Sequence, residues 1–167
     1  MNARRITGAL AVAVGAGLLV AAAPASADER VCRGSIGAQT VDDLRVPSGA
    51  RCVLTRTRVE GDIKVSRGGR LIARNVRVDG NVQTQRHRSV LLVGGLVDGN
   101  VQLERGRAAT VRNVRINGDL QSFSNRGTQI FRRNRIDGNL QCKSNRPVPR
   151  GGGNVVQGNK EDQCRRL

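Results

Sequence analysis

The chain has 167 residues, a formal charge of +16 and only two aromatic residues, Phe123 and Phe131. So low an aromatic content excludes a conventional globule centred on large rings, and it excludes the stacking platforms of single-strand nucleic-acid binders. The excess of 29 Lys and Arg over 13 Asp and Glu points toward anionic partners.

In chain order, Met1 to Arg5 is short and basic, Ile6 to Ala23 is apolar, and Ala25-Ser26-Ala27 supplies a small-x-small cleavage pattern. These are the three parts of a secretory signal peptide. Residues 1–27 are expected to be removed, leaving 140 residues with a formal charge of +14. A membrane anchor is the competing reading. The cleavage pattern follows the apolar run at once, which favours a signal and leaves no transmembrane segment after processing. The expected location is secreted and extracellular, with cell-wall association. Residues 28–46 are expected to form an irregular N-terminal cap, with Ile36, Val41, Leu44 and Val46 covering the apolar end of the first coil.

Beyond the cap one hexapeptide recurs. Val59-Glu60-Gly61-Asp62-Ile63-Lys64 is followed by Val78-Asp79-Gly80-Asn81-Val82-Gln83, Val97-Asp98-Gly99-Asn100-Val101-Gln102, Ile116-Asn117-Gly118-Asp119-Leu120-Gln121 and Ile136-Asp137-Gly138-Asn139-Leu140-Gln141, with a worn copy at Val156-Gln157-Gly158-Asn159-Lys160. Successive glycines are 19, 19, 19, 20 and 20 residues apart. A repeat of this length and regularity predicts a solenoid with one coil per period.

The coils run Pro47–Val65, Ser66–Thr84, Gln85–Leu103, Glu104–Ser122 and Phe123–Cys142, and residues 143–167 form a degenerate last coil and C-terminal cap. Aligning them gives apolar columns: Val59, Val78, Val97, Ile116, Ile136; then Ile63, Val82, Val101, Leu120, Leu140; then Cys52, Leu71, Val90, Ala109; then Leu54, Ala73, Leu92, Val111, Phe131. A less regular column is Thr57, Val76, Gly95, Val114, Asn134. Three short strands per coil follow, in the second coil Leu71-Ile72-Ala73, Val76-Arg77-Val78 and Asn81-Val82-Gln83. Runs this short cannot be helices, and the in-out-in alternation is that of a half-buried strand. Arg74-Asn75 and Asp79-Gly80 turn two corners, the glycine suited by its freedom to take φ > 0, and Ser66 to Arg70 makes a longer third connection. The fold class is therefore all-β: a single-stranded parallel β-helix of about five to six coils. It is expected to be right-handed, since the left-handed form favours six-residue units. Antiparallel sandwiches and barrels use turn spacings of roughly 8–12 residues and do not repeat one hexapeptide.

Cys32, Cys52, Cys142 and Cys164 make an even count in an exported chain, which argues for two disulfides. The repeat selects the pairing. Cys52 and Cys142 lie in the first and fifth coils, about 20 Å apart at roughly 4.8 Å per coil, well beyond disulfide reach. Cys32–Cys52 and Cys142–Cys164 remain, each fastening a terminal segment over an open end. Zinc fails on spacing, because no C-x-x-C pair exists.

These repeats, with the ending Gly158-Asn159-Lys160-Glu161-Asp162-Gln163-Cys164, resemble a group of small exported actinobacterial proteins carrying V-x-G-N-V-Q units and no assigned function. The resemblance covers essentially all of the chain after residue 27 and supplies no catalytic residues. At the level of fold alone the coils are also similar to those of bactofilins, polymer-forming scaffolds that are cytosolic and lack these cysteines.

The acidic corner residues Glu60, Asp79, Asp98, Asn117 and Asp137 have Arg58, Arg77, Arg115 and Arg135 two residues earlier, with Leu96 in the third coil. One carboxylate per coil is too few for a calcium ladder, so a solvated Arg/Asp zipper is expected. Gln83, Gln102, Gln121 and Gln141, with Lys64 at their head, are read as an amide ladder or a glycan-binding face. Arg67, Arg70, Arg74, Arg86, Arg88, Arg105, Arg107, Arg112, Arg132 and Arg133 are expected to form a basic ridge able to bind polyanions by counterion release. His87, the only histidine, lies on a connection with no nucleophile motif around it. No catalytic residue, metal site or cofactor is expected. The expected function is a secreted, non-catalytic structural or adhesive module at the cell envelope. The alternative is a binding module for an anionic cell-wall polymer, a glycan or, without sequence specificity, nucleic acid. The protein is expected to be a monomer or to self-associate end to end.

Overall fold

The computed structural model describes residues 29–167, so the signal peptide expected over residues 1–27 lies outside the described residues. Among the described residues there is no helix, and the strands pair in parallel from coil to coil. The expected period is the observed one. The Gly80 N–H donates to Gly61 O at 3.1 Å, Gly99 to Gly80 at 3.0 Å, Gly118 to Gly99 at 3.2 Å, and Gly138 and Gly158 continue the chain at 3.1 Å each. Like residues therefore stack one rung apart, and each rung satisfies the backbone of its neighbours.

Each coil presents three walls. The first includes Arg51–Thr55, Ala108–Arg112 and Gln129–Arg132; the second includes Arg58–Val59, Arg115–Ile116 and Arg135–Ile136; the third includes Ile63–Val65, Val82–Gln85, Val101–Glu104, Leu120–Phe123 and Leu140–Lys143. In two coils the first and second walls, expected as separate strands, run on as Arg70–Val78 and Ser89–Val97. The corner between them survives as a bend, with Asn75 at φ 52° and Gly94 at φ 65°.

The solenoid has about seven turns, more than the sequence predicted. The extra turn comes from the segment expected to be an irregular cap. Gly34–Ile36, Thr40–Val41 and Leu44–Val46 pair rung for rung with the walls of the next coil. Its corner, Val41-Asp42-Asp43-Leu44, is one residue shorter than the others and has no glycine, so it does not match the repeat. The last coil is also regular: Arg150–Gly152, Val155–Val156 and Lys160–Asp162 extend all three walls.

The apolar columns read from the sequence are buried and in register. A further interior column, Val46, Val65, Thr84, Leu103, Ser122 and Cys142, follows the outward glutamines. The two cystines are Cys32–Cys52 and Cys142–Cys164, with Cα separations of 5.5 and 5.3 Å, and all four cysteines are buried at the ends of the core.

The corner glycines required a different explanation from the expected one. None of Gly61, Gly80, Gly99, Gly118, Gly138 and Gly158 takes a positive φ. They are needed because the rungs approach closely. A Cβ on Gly118 would stand 2.4 Å from Asn100 Oδ1 and 2.8 Å from Gly99 O. That Oδ1 belongs to a ladder in which each Asp or Asn accepts from the backbone N–H of its counterpart in the next coil: Asp43 from Asp62, Asp62 from Asn81, Asn81 from Asn100, Asn100 from Asp119, Asp119 from Asn139 and Asn139 from Asn159, at 2.7 to 2.9 Å. The other two corners carry shorter, buried ladders. Asn134 and Asn154 serve one, and Asn125, Asn145 and Gln163 the other.

Candidate polyanion-binding surface

The three corners differ sharply in charge. At the Asp-Gly corner the expected zipper forms, and it runs between rungs. Arg77 donates to Asp79 at 2.8 Å within its own coil and to Asp98 at 2.9 Å in the next. Arg58 reaches Asp79 at 2.6 Å, and Arg115 reaches Asn117 at 3.0 Å and Asp137 at 3.2 Å. Where Leu96 interrupts the arginines, Asn117 Nδ2 donates to Asp98 at 2.7 Å instead. The Arg77 hydrogen bond, with Arg58 nearby, holds the Asp79 carboxyl below its ordinary range. Positive and negative charge cancel along this edge.

The long connection carries no such compensation. Backbone bonds place Arg67, Arg86 and Arg105 in one file, continued by Ser124, and Arg88, Arg107, Arg126 and Arg146 in a second file. A column of half-buried Gly68 and buried His87, Gly106, Asn125 and Asn145 separates them. The seven arginines are exposed, and among the described residues only Arg105 has a carboxylate partner, Glu104 at 3.5 Å. Arg70 lies beside this ridge at the start of the first wall, in register with Arg51.

The expected single ridge is in fact two. Arg74, Arg112 and Arg132 share a file at the far end of the first wall, interrupted by Val93 between the first two, with Arg133 and Arg56 next to them at the following corner. The first wall lies between the two ridges. Arg126 and Arg146 escaped notice in the sequence, although a step of 19 or 20 residues from Arg107 leads to each in turn.

Four of these corner arginines have left-handed backbone: Arg56 at φ 54°, Arg86 at 54°, Arg105 at 51° and Arg133 at 53°. A non-glycine residue there costs on the order of 1 kcal/mol. Gly94 and Gly153 occupy the same position as Arg56 and Arg133 in other coils.

Between the glutamine file and the Arg67–Arg86 file, on the third wall, runs an open groove of about 440 Å³. Lys64, Gln83 and Gln102 form one bank, Arg67 and Arg86 the other, and Ser66, Gln85 and Glu104 lie along the floor. The expected amide ladder is only partly made. Gln121 donates to Gln141 at 2.9 Å and Gln141 to Glu161 at 3.0 Å, while no side-chain bond joins Gln83 to Gln102 among the described residues.

His87, on the connection where the sequence places it, is buried at 1% exposure. Its ring fills the space beneath Gly106, whose added Cβ would strike it at 2.1 Å. Nδ1 lies 2.8 Å from Thr84 Oγ1, and Nε2 has no partner among the described residues. Burial pushes its pKa down to about 4, so at neutral pH the ring is uncharged and packs as part of the core.

Comparison with protein-family models, with curated proteins and with solved structures returned no match.

Proposed function

We propose that this protein is an exported, non-catalytic adhesive module that holds a linear anionic polymer of the cell envelope. One observation carries the reading: seven arginines stack in two files along one edge of a rigid solenoid, six of them without a carboxylate partner among the described residues. Guanidinium groups repeated at roughly 4.8 Å repel one another, and a polymer carrying regularly spaced anions relieves that repulsion while releasing counterions. The non-catalytic part rests on the corner carboxylates Asp79, Asp98 and Asp137, which stand in line along one edge and are engaged by arginines. Two disulfides suit an oxidising, extracellular setting.

The test is retention on immobilised heparin and on purified cell wall as a function of salt. Log affinity should fall linearly with log salt, and the Arg67→Glu/Arg86→Glu/Arg105→Glu variant should reduce the slope by about 2–3. Equal retention of the variant and the wild type would overturn the reading.

A further inference from the structure

We infer that the groove on the third wall is a subsite for an acidic sugar unit, so that the polymer held by the arginine ridge is an anionic glycan. This inference rests on the proposed adhesive function and adds the chemistry of the ligand. The groove offers two kinds of unspent polar group on opposite banks. Arg67 and Arg86 have no carboxylate partner among the described residues, whereas Lys64 is engaged by Asp43 at 3.6 Å and Glu104 by Arg105 at 3.5 Å. Facing them, Gln83 and Gln102 are half-buried and break off from the ladder that Gln121, Gln141 and Glu161 complete.

A bare polyanion would use only the guanidinium bank. Primary amides present a donor and an acceptor together, the complement of a hydroxyl, which also does both. A ligand that satisfies both banks carries an anionic group beside hydroxyls, and acidic saccharides do. The floor file continues beyond the groove from Glu104 to Phe123, a half-buried aromatic on the next rung. Stacking sets Lys64 with Arg67, Gln83 with Arg86 and Gln102 with Arg105 on rungs roughly 4.8 Å apart, so a guanidinium recurs along one bank while the free amides occupy two rungs of the other. Duplex DNA does not fit the combination, because its anions lie outside and the groove has no element to enter a base-pair groove.

The experiment titrates the full secreted chain with a heparin oligosaccharide and, separately, with inorganic polyphosphate, which has the charge but no hydroxyls. The Gln83→Ala/Gln102→Ala variant should bind the oligosaccharide about tenfold more weakly and polyphosphate unchanged, two lost hydrogen bonds accounting for the factor. Gln141→Ala, at the closed part of the ladder, should change neither. Arg86→Gly removes a guanidinium while relieving left-handed backbone, so it stays folded, and it should weaken both ligands. Equal effects of the glutamine pair on both ligands, or none on either, would overturn the subsite and leave the ridge standing. Failure of wild type to bind either polyanion would overturn the adhesive reading itself. Binding of duplex DNA in preference to the oligosaccharide would replace the glycan with nucleic acid and overturn the subsite.

Discussion

At position 87 a histidine occupies the interior place that glycine takes at Gly68 and Gly106 and asparagine at Asn125 and Asn145. The asparagines satisfy themselves there: Asn125 Nδ2 donates to Leu103 O at 2.8 Å and its Oδ1 accepts from Gly106 N at 2.8 Å. His87 has only Thr84 to bond, and the ring cannot gain a proton without burying an unsolvated charge. Its folded pKa of about 4 lies below the ordinary histidine value of 6.5. The unfolded chain therefore binds a proton between those values while the folded chain does not. The stability this group confers is fully present above pH 6.5 and is lost as pH falls toward 4, by about 3 kcal/mol across the interval. Thermal melts from pH 7 to pH 4.5 should show this decline, and His87→Asn, which installs the residue used two coils later, should flatten it. An unchanged pH dependence in that variant would locate the titration elsewhere.

At the scale of the element, walls and corners are held differently. Walls are stabilised by apolar columns, corners by asparagine and aspartate side chains that bond across rungs. Replacing Asn125 with leucine keeps the branching and heavy-atom count in a somewhat larger side chain, but strips partners from Leu103 O and Gly106 N, both buried, and breaks the link to Asn145. The expected cost is about 3 kcal/mol, read as a lowered denaturation midpoint with an unchanged slope; a variant as stable as the wild type would show the ladder to be dispensable. This division explains what was legible in advance. The columns Val59 to Ile136 and Ile63 to Leu140 stand out because burial selects one chemical type at one spacing, so the walls, the period and the cystine pairing could all be read. Asparagines at corners look like solvent-facing turn residues, and nothing within one coil says that Asn100 reaches the backbone of Asp119 in the next. The corner glycines were found but misread, since a close approach between rungs leaves the same mark in a sequence as a positive φ. The burial of His87 was not legible, because it depends on the space beneath Gly106 in another coil. Half of the arginine surface was legible as composition. Its division into two ridges depends on which corner turns each residue outward.

Over the whole molecule, rungs touch only their neighbours, so stability is close to a sum of coil and interface terms and opening should begin at the ends. The terminal rungs also have a neighbouring rung on one side only, so their outer backbone edge goes unpaired. The cystines stand where this weakness lies. Cys32 and Cys52 are 20 residues apart and Cys142 and Cys164 are 22 apart, and closing loops of that size limits the unfolded chain by about 3 kcal/mol each in the chain-entropy account. Removing a bridge should therefore loosen one end and leave the middle almost untouched. In hydrogen exchange of Cys142→Ser/Cys164→Ser, amides of Lys160–Asp162 and Val155–Val156 should lose protection, while those of Arg70–Val78 and Ser89–Val97 keep it. Paired removal of Cys32 and Cys52 should reverse the pattern, freeing Gly34–Ile36 and Leu44–Val46 first. Uniform loss of protection along all seven turns would mean that the solenoid opens as one cooperative unit, and that the cystines stabilise the whole chain instead of its two ends.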